Sequence, residues 1–396
     1  MQATTTVWIV TLVGIIGLLA YDFFFHVRKA HIPTLRESAI WSAGYVGIAL
    51  LFGVGVWVFG GGEAGTEYFA GYVTEKALSV DNLFVFLIIM GSFAVPRANQ
   101  QKVLLFGIVF ALISRTVFIF IGAAAIERFA WVFYLFGLIL LITAGHMLKP
   151  EDSNADRENF VVRFVRKVVP TSEGYDGDRL FSVENGARVM TPMMVVMLAI
   201  GGTDILFAID SIPAIFGLTQ STYIVFTATA FSLLGLRQLY FLIDGLLDRL
   251  IYLSFGLAAI LGFIGVKLIL HALAENALPF INDGEHVPVV EVSTGLSLVV
   301  IIGVLVVTIA ASLLSPAGRA KNAIGNARRH ATQYLDIGYW GDPEAREKSY
   351  QALEEEIATI RSLPEKQRAH IRNERELMEL LEEAQRQHES ETPDQR

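Results

Sequence analysis

Apolar runs of about 20 residues alternate with short polar stretches from the start of the chain to about residue 314, where the pattern stops. A helix rising 1.5 Å per residue needs about that length to cross the hydrocarbon core of a bilayer. The runs predict nine spans, at about 7–25, 41–59, 67–93, 103–124, 130–148, 192–217, 222–243, 250–272 and 295–314. Beyond Ser315-Pro316 the pattern becomes that of soluble helices. Tyr350, Leu353, Ile357 and Ile360 recur on one helical face, and Pro364 suits the first turn of a second helix carrying Ile371, Met378 and Leu381. The expected fold is an all-α polytopic membrane protein. A transmembrane domain covers 1–315 and a charged helical tail covers 316–396.

Basic residues alternate from loop to loop. Arg28, Lys29 and Arg36 follow the first run, Arg97 and Lys102 the third, and Arg249 the seventh. The 149–191 loop holds seven Lys or Arg, and Arg319, Lys321, Arg328 and Arg329 follow the ninth run with no acid among them. Gly60–Thr66, 218–221 and 273–294 have no base, and 125–129 has one. Short loops rich in Lys and Arg stay in the cytoplasm. The N-terminus is therefore expected outside and the C-terminus inside. Met1–Thr6 lacks a positive side chain and no small-residue cleavage site closes the first run, so that run is expected to be kept as a span. The 149–191 loop has room for a hairpin around Tyr175–Leu180.

Two stretches of the chain repeat each other. Leu112-Ile-Ser-Arg115-Thr-Val-Phe118 is echoed by Leu234-Gly-Leu-Arg237-Gln-Leu-Tyr240, and Phe136-Gly-Leu138 by Phe255-Gly-Leu257. Gly145-His-Met-Leu-Lys149 has a looser partner in Gly265-Val-Lys267. The repeats cover about 67–149 and 192–272, three helices each. An odd number of crossings makes the second copy enter from the opposite side. Inverted repeats of this kind mark secondary transporters, whose sites lie near the midplane where the copies meet.

Composition sharpens this picture in one respect. The chain is 53% apolar with a net charge of −8, and it has no cysteine, which removes disulfides, thiolate metal sites and cysteine nucleophiles. The charges that remain inside the apolar runs are therefore conspicuous. Glu75-Lys-Ala-Leu-Ser-Val-Asp81-Asn82 and Asp204-Ile-Leu-Phe-Ala-Ile-Asp210-Ser211 read alike: acid, five residues, Asp, small polar residue. A carboxylate at bilayer depth is costly and marks a functional site by default. Four in duplicated wording point to a cation site.

Glu75 and Asn82 are seven residues apart, as are Asp204 and Ser211, so each pair shares a helix face. Asp81 and Asp210 lie about 120° off those faces in an unbroken helix. One shared site then needs a broken helix or convergence across helices. Pro213 and Gly201-Gly202 are where a break is expected. Carboxylates and freed carbonyls are hard oxygen ligands, suited to Mg²⁺, Ca²⁺ or Mn²⁺. Arg115, Arg237 or Lys76 would offset the excess negative charge. The opposing reading is that the acids pair with those bases only to tie helices together. Asp22, late in the first span, is expected to reach water near the membrane surface.

At Glu75–Asn82 and Asp204–Phe216 the sequence resembles the TerC family of integral membrane proteins, over about residues 5–315. The resemblance implies an Alx-like manganese exporter of the lysine-exporter superfamily, in a bacterial inner membrane. It also implies that Glu75, Asp81, Asn82, Asp204, Asp210 and Ser211 are the metal-site positions. The expected function is export of Mn²⁺ as transported ion, by exchange with protons, with no prosthetic group. The rival readings are export of another cation or of amino acids, and a membrane scaffold working through the 330–396 tail by binding a cytoplasmic partner or itself. No nucleophile–base constellation or phosphate-binding loop is present, so no enzymatic role is expected. The basic cluster after the ninth span reads as a membrane flank, so nucleic acid is not expected as a partner.

Overall fold

The computed structural model describes residues 3–27, 35–93, 95–148, 179–184, 187–243, 250, 252–275, 278, 281–315, 324, 326–327, 330–331, 334–335, 343–362 and 374–391. The chain divides into two compact units, 1–242 with 254–305, and 243–253 with 306–396.

The helices of the membrane region follow in order. They are α1 Thr5–Asp22, α2 Leu35–Gly60, α3 Gly62–Ser92, α4 Arg97–Arg128, α5 Val132–Met147, α6 Pro192–Phe216, α7 Thr222–Leu233, α8 Leu236–Ile243, α9 Leu253–Ala274 and α10 Thr294–Leu314. Among the described residues, seven helical stretches are long and apolar enough to cross a membrane; one of them is α7 and α8 taken together. The other two expected spans fall short for different reasons. α5 has only 16 residues. α3 has 31, about 46 Å of helix, but carries Glu63, Glu67, Glu75, Lys76 and Asp81 along its length.

Burial sorts the helices into a centre and a rim. The most apolar window of α7–α8 is 89% buried, against 17% for α1 and 22% for α2 and α10. The rim exposes Val10, Ile16, Leu51, Phe59, Val299 and Val307. In water such surfaces would aggregate; against acyl chains they are the ordinary lipid-facing side. The most extensive packings are α3 on α7 and α4 on α6. Each pairs a helix from the 67–149 stretch with one from the 192–272 stretch.

Small residues let backbones approach. A Cβ on Gly137 of α5 would lie 2.8 Å from the carbonyl oxygen of Gly265 in α9, and one on Gly265 would lie 3.0 Å from that of Gly137. Without a hydrophobic drive between helices in lipid, such close crossings are how they adhere.

Two expectations about breaks and turns are corrected. α6 runs unbroken through Gly201-Gly202 and Pro213, and continues into a hydrogen bond from the Gly217 N–H to the Pro213 carbonyl. The discontinuity falls instead in the next span. There Leu234 is extended and Gly235 has φ +79°, a conformation glycine adopts at no steric cost. The hairpin in the long loop is β1 Phe181–Glu184 paired antiparallel with β2 Ala187–Met190, later than expected; Tyr175 lies outside the described residues.

In the second unit, α11 Pro343–Ser362 buries Tyr350, Leu353, Ile357 and Ile360, as the spacing predicts. The second tail helix, α12 Glu374–Glu391, buries Leu377, Leu381 and Ala384, whereas Met378 faces out. Ile371 and Pro364 lie outside the described residues. Tyr350 stacks on His388 with ring centroids 3.6 Å apart, and Tyr334 shares a 2.9 Å hydrogen bond with the same imidazole.

Candidate functional site

Arg115 is the largest fully buried side chain among the described residues, at 1% exposure. It comes from the middle of α4, where an unbroken helix points it inward between α3 and α6. Its Nη1 contacts Glu75 Oε1 of α3, and its Nη2 lies 3.2 Å from Asp204 Oδ1 of α6. Ser114, one residue earlier, donates to Asp204 Oδ2 at 3.3 Å. One acid from each copy of the repeat thus meets a single guanidinium. A charged group this deep is tolerable only when paired, and arginine stays charged at any ordinary pH.

Next to this ionic triad lies a cavity of about 10 Å³, room for about one water or bare ion. Its polar wall is Ser79, Asn82, Arg115 and Asp204. Leu233 and Leu236, the two ends of the broken helix, close it on the other side. On its wall Ser79 Oγ and Arg115 Nε lack a hydrogen-bond partner, as do Glu75 Oε2 in the triad and, two turns along α6, Ser211 Oγ. Burying such groups unpaired costs about 1–3 kcal/mol each, an expense that a binding site recovers when its ligand arrives.

The broken helix contributes backbone as well. Lys76, next to Glu75, turns away from the acids and donates to the Ser232 carbonyl at 3.0 Å, capping the C-terminal end of α7. Broken helices in carriers present such carbonyls and helix ends to ions.

Of the six residues singled out in the sequence, Glu75 and Asp204 meet on Arg115, and Asn82 lines the cavity with Asp204. Ser211 is buried at 1% exposure, one face-repeat along from Asp204. Asp81 and Asp210 are half-buried and do not line the cavity. The reason is the continuity of α3 and α6: with neither helix broken, the 120° offset stands. Among the described residues, no three His, Cys, Asp or Glu side chains gather as a metal cluster. Of the four carboxylates, Glu75 and Asp204 contact Arg115.

The second-copy arginine behaves differently. Arg237 follows the break at Gly235 and points to α1 rather than to the centre. Its Nε and Nη2 donate to Asp22 at 3.1 and 2.7 Å, and its Nη1 donates to Gln101 at 2.6 Å. Gln238 and Tyr45 also donate to Asp22, at 2.8 and 3.1 Å. Asp22 is therefore buried at 6% exposure and does not reach water. The rule that flagged the other intramembrane acids would have flagged it too. Its position near the end of a span hid it.

These features define a multi-pass integral membrane protein with a buried ionic centre. Residues 60–320 match the integral membrane protein TerC family, and the chain belongs to that family. It is 58% identical to an uncharacterized membrane protein of Mycobacterium tuberculosis over 386 residues, 96% of this chain and 97% of the relative. It is 41% identical to an uncharacterized membrane protein of Myxococcus xanthus over 262 residues, 66% of this chain and 82% of that one. An Escherichia coli protein named as a candidate membrane-bound redox modulator, Alx, is 37% identical over 301 residues, 74% of this chain and 89% of its own length. No solved structure matches the chain.

Proposed function

We propose that this protein is a secondary carrier that exports Mn²⁺ from the cytoplasm across the bacterial inner membrane in exchange for protons. The observation that carries the reading is the meeting of Glu75 and Asp204 on one guanidinium, one from each of the two stretches whose sequences repeat, beside a cavity whose polar wall includes Ser79, Asn82 and Asp204. Two carboxylates neutralise one dication. Ser79 and Asn82 add neutral oxygens, which suit a hard ion held weakly enough to leave. Magnesium and calcium fit the same chemistry; manganese is preferred because the family resemblance implies it. The same carboxylates accept protons once the ion has gone, which supplies the exchange. The alternation of basic loops supports an outside N-terminus and a cytoplasmic C-terminal tail.

The name of the Escherichia coli relative suggests redox modulation. This chain has no cysteine, so thiol–disulfide chemistry of its own is ruled out. Nor do the buried charges form a nucleophile with a base.

The test is uptake of Mn²⁺ into inverted membrane vesicles driven by a pH gradient, with Mg²⁺ and Ca²⁺ as competitors. Wild-type vesicles should accumulate Mn²⁺, and Glu75→Gln and Asp204→Asn should each reduce the rate at least ten-fold. Undiminished uptake in both variants refutes the assignment.

A further inference from the structure

A dication and a guanidinium cannot share this centre. Glu75 and Asp204 together supply two negative charges, and Arg115 already contributes one positive charge in contact with both. Adding a divalent ion with Arg115 in place would leave a net positive charge buried among Phe86, Leu233 and Leu236, with no further anion lining the cavity. That is the costly arrangement of an uncompensated buried charge.

We propose that Arg115 is a tethered competitor for the transported cation. It pairs with the two carboxylates whenever neither the ion nor protons occupy them, is displaced when the ion enters, and re-forms its contacts as the ion leaves on the far side, before protons take its place for the return. The inference rests on the cargo reading above and goes beyond it by naming what the ion displaces.

Three observations support it. First, the guanidinium bridges one acid from each repeat, so it closes the same gap an ion would close. Second, the fit is incomplete: Arg115 Nε and Glu75 Oε2 remain without hydrogen-bond partners, as does the Ser79 hydroxyl on the cavity wall. An arginine placed only to tie helices is expected to use its donors; an occupant that must leave need not. Third, the other nearby bases are committed elsewhere. Lys76 donates to the Ser232 carbonyl, and Arg237 is bound by Asp22 and Gln101. Arg115 is thus the cation at the centre. A tethered group competes at an effective concentration in the millimolar range or above, enough to weaken ion binding and so permit release.

The experiment compares detergent-purified full-length wild type, Arg115→Gln and Arg115→Lys, with Mn²⁺ as the probe. Binding is measured by calorimetry at pH 8.5, where protons compete least for the carboxylates, and turnover in reconstituted vesicles. Removing the competitor should raise Mn²⁺ affinity at least ten-fold in Arg115→Gln while turnover falls at least ten-fold, because the ion is no longer expelled. A lysine point charge cannot bridge both carboxylates, so Arg115→Lys should bind several-fold more tightly than wild type. It serves as the deciding variant should Arg115→Gln not purify as a monodisperse protein. Wild-type or weaker affinity in the folded variants overturns the proposal and leaves the cargo reading standing. Absence of Mn²⁺ binding by every form, wild type included, overturns the cargo reading and this inference with it.

Discussion

Replacing Asp22 with alanine removes the acceptor of four hydrogen bonds at once: two from Arg237, one from Gln238 and one from Tyr45. Arg237 is 3% exposed, so its charge would be stranded away from water. Gln101 still accepts from Nη1, but an amide dipole does not neutralise a guanidinium. Losing one partner of a buried ion pair costs about 3–5 kcal/mol. At ~2–4 °C per kcal/mol for a domain of roughly this size, the midpoint of thermal unfolding should fall by about 10 °C. The five tryptophans report unfolding of the purified protein by fluorescence. Asp22→Asn keeps the shape but not the charge and should fall about half as far. The double variant Asp22→Leu with Arg237→Met removes both charges and should recover part of the loss, the rest being the hydrogen bonds that Gln238, Tyr45 and Gln101 no longer make. An Asp22→Ala shift under ~2 °C, or a double variant no better than the single, refutes the argument that this pair is an energetically coupled unit.

Gly235→Ala should lower the unfolding midpoint by several degrees. A positive φ costs a non-glycine residue about 1 kcal/mol, and the new Cβ would sit 2.7 Å from Tyr45 Cβ. Ser79→Ala should separate stability from binding. Deleting an unpartnered buried hydroxyl leaves the midpoint unchanged or raised, while Mn²⁺ affinity falls about ten-fold by calorimetry. Leu353→Asp places a charge in the buried cluster of the tail, which should unfold α11 and α12 by limited proteolysis without slowing vesicle uptake. A loss of uptake would favour a working role for the tail.

The membrane architecture was legible because span length and loop charge are local properties, and the duplicated wording around Glu75 and Asp204 led directly to the centre. The details that escaped are long-range or conformational. Asp22 and Arg237 are 215 residues apart in sequence, and no periodicity announces that pairing. The break was assigned to Pro213, yet a proline near a helix end is absorbed by one missing bond, whereas Gly235 against Ile113 in the matching copy was the telling difference. It is why equivalent arginines serve different partners. The hairpin had a signal that was passed over: Asn185-Gly186 lies between the paired Glu184 and Ala187, and Asn-Gly is the strongest two-residue hairpin sequence.

The Asp22 cluster also bears on how the protein is made. α1 leaves the ribosome well before α8, carrying an acid whose cationic partner has not been translated. At 5–20 residues per second, the 215 intervening residues take roughly 10 to 40 s to synthesise. Throughout that interval the leading helix enters the bilayer with its carboxylate unmatched, and only the arrival of the seventh hydrophobic segment seats it. A late helix therefore fastens one made long before it, and a nascent chain halted before Arg237 should hold α1 loosely.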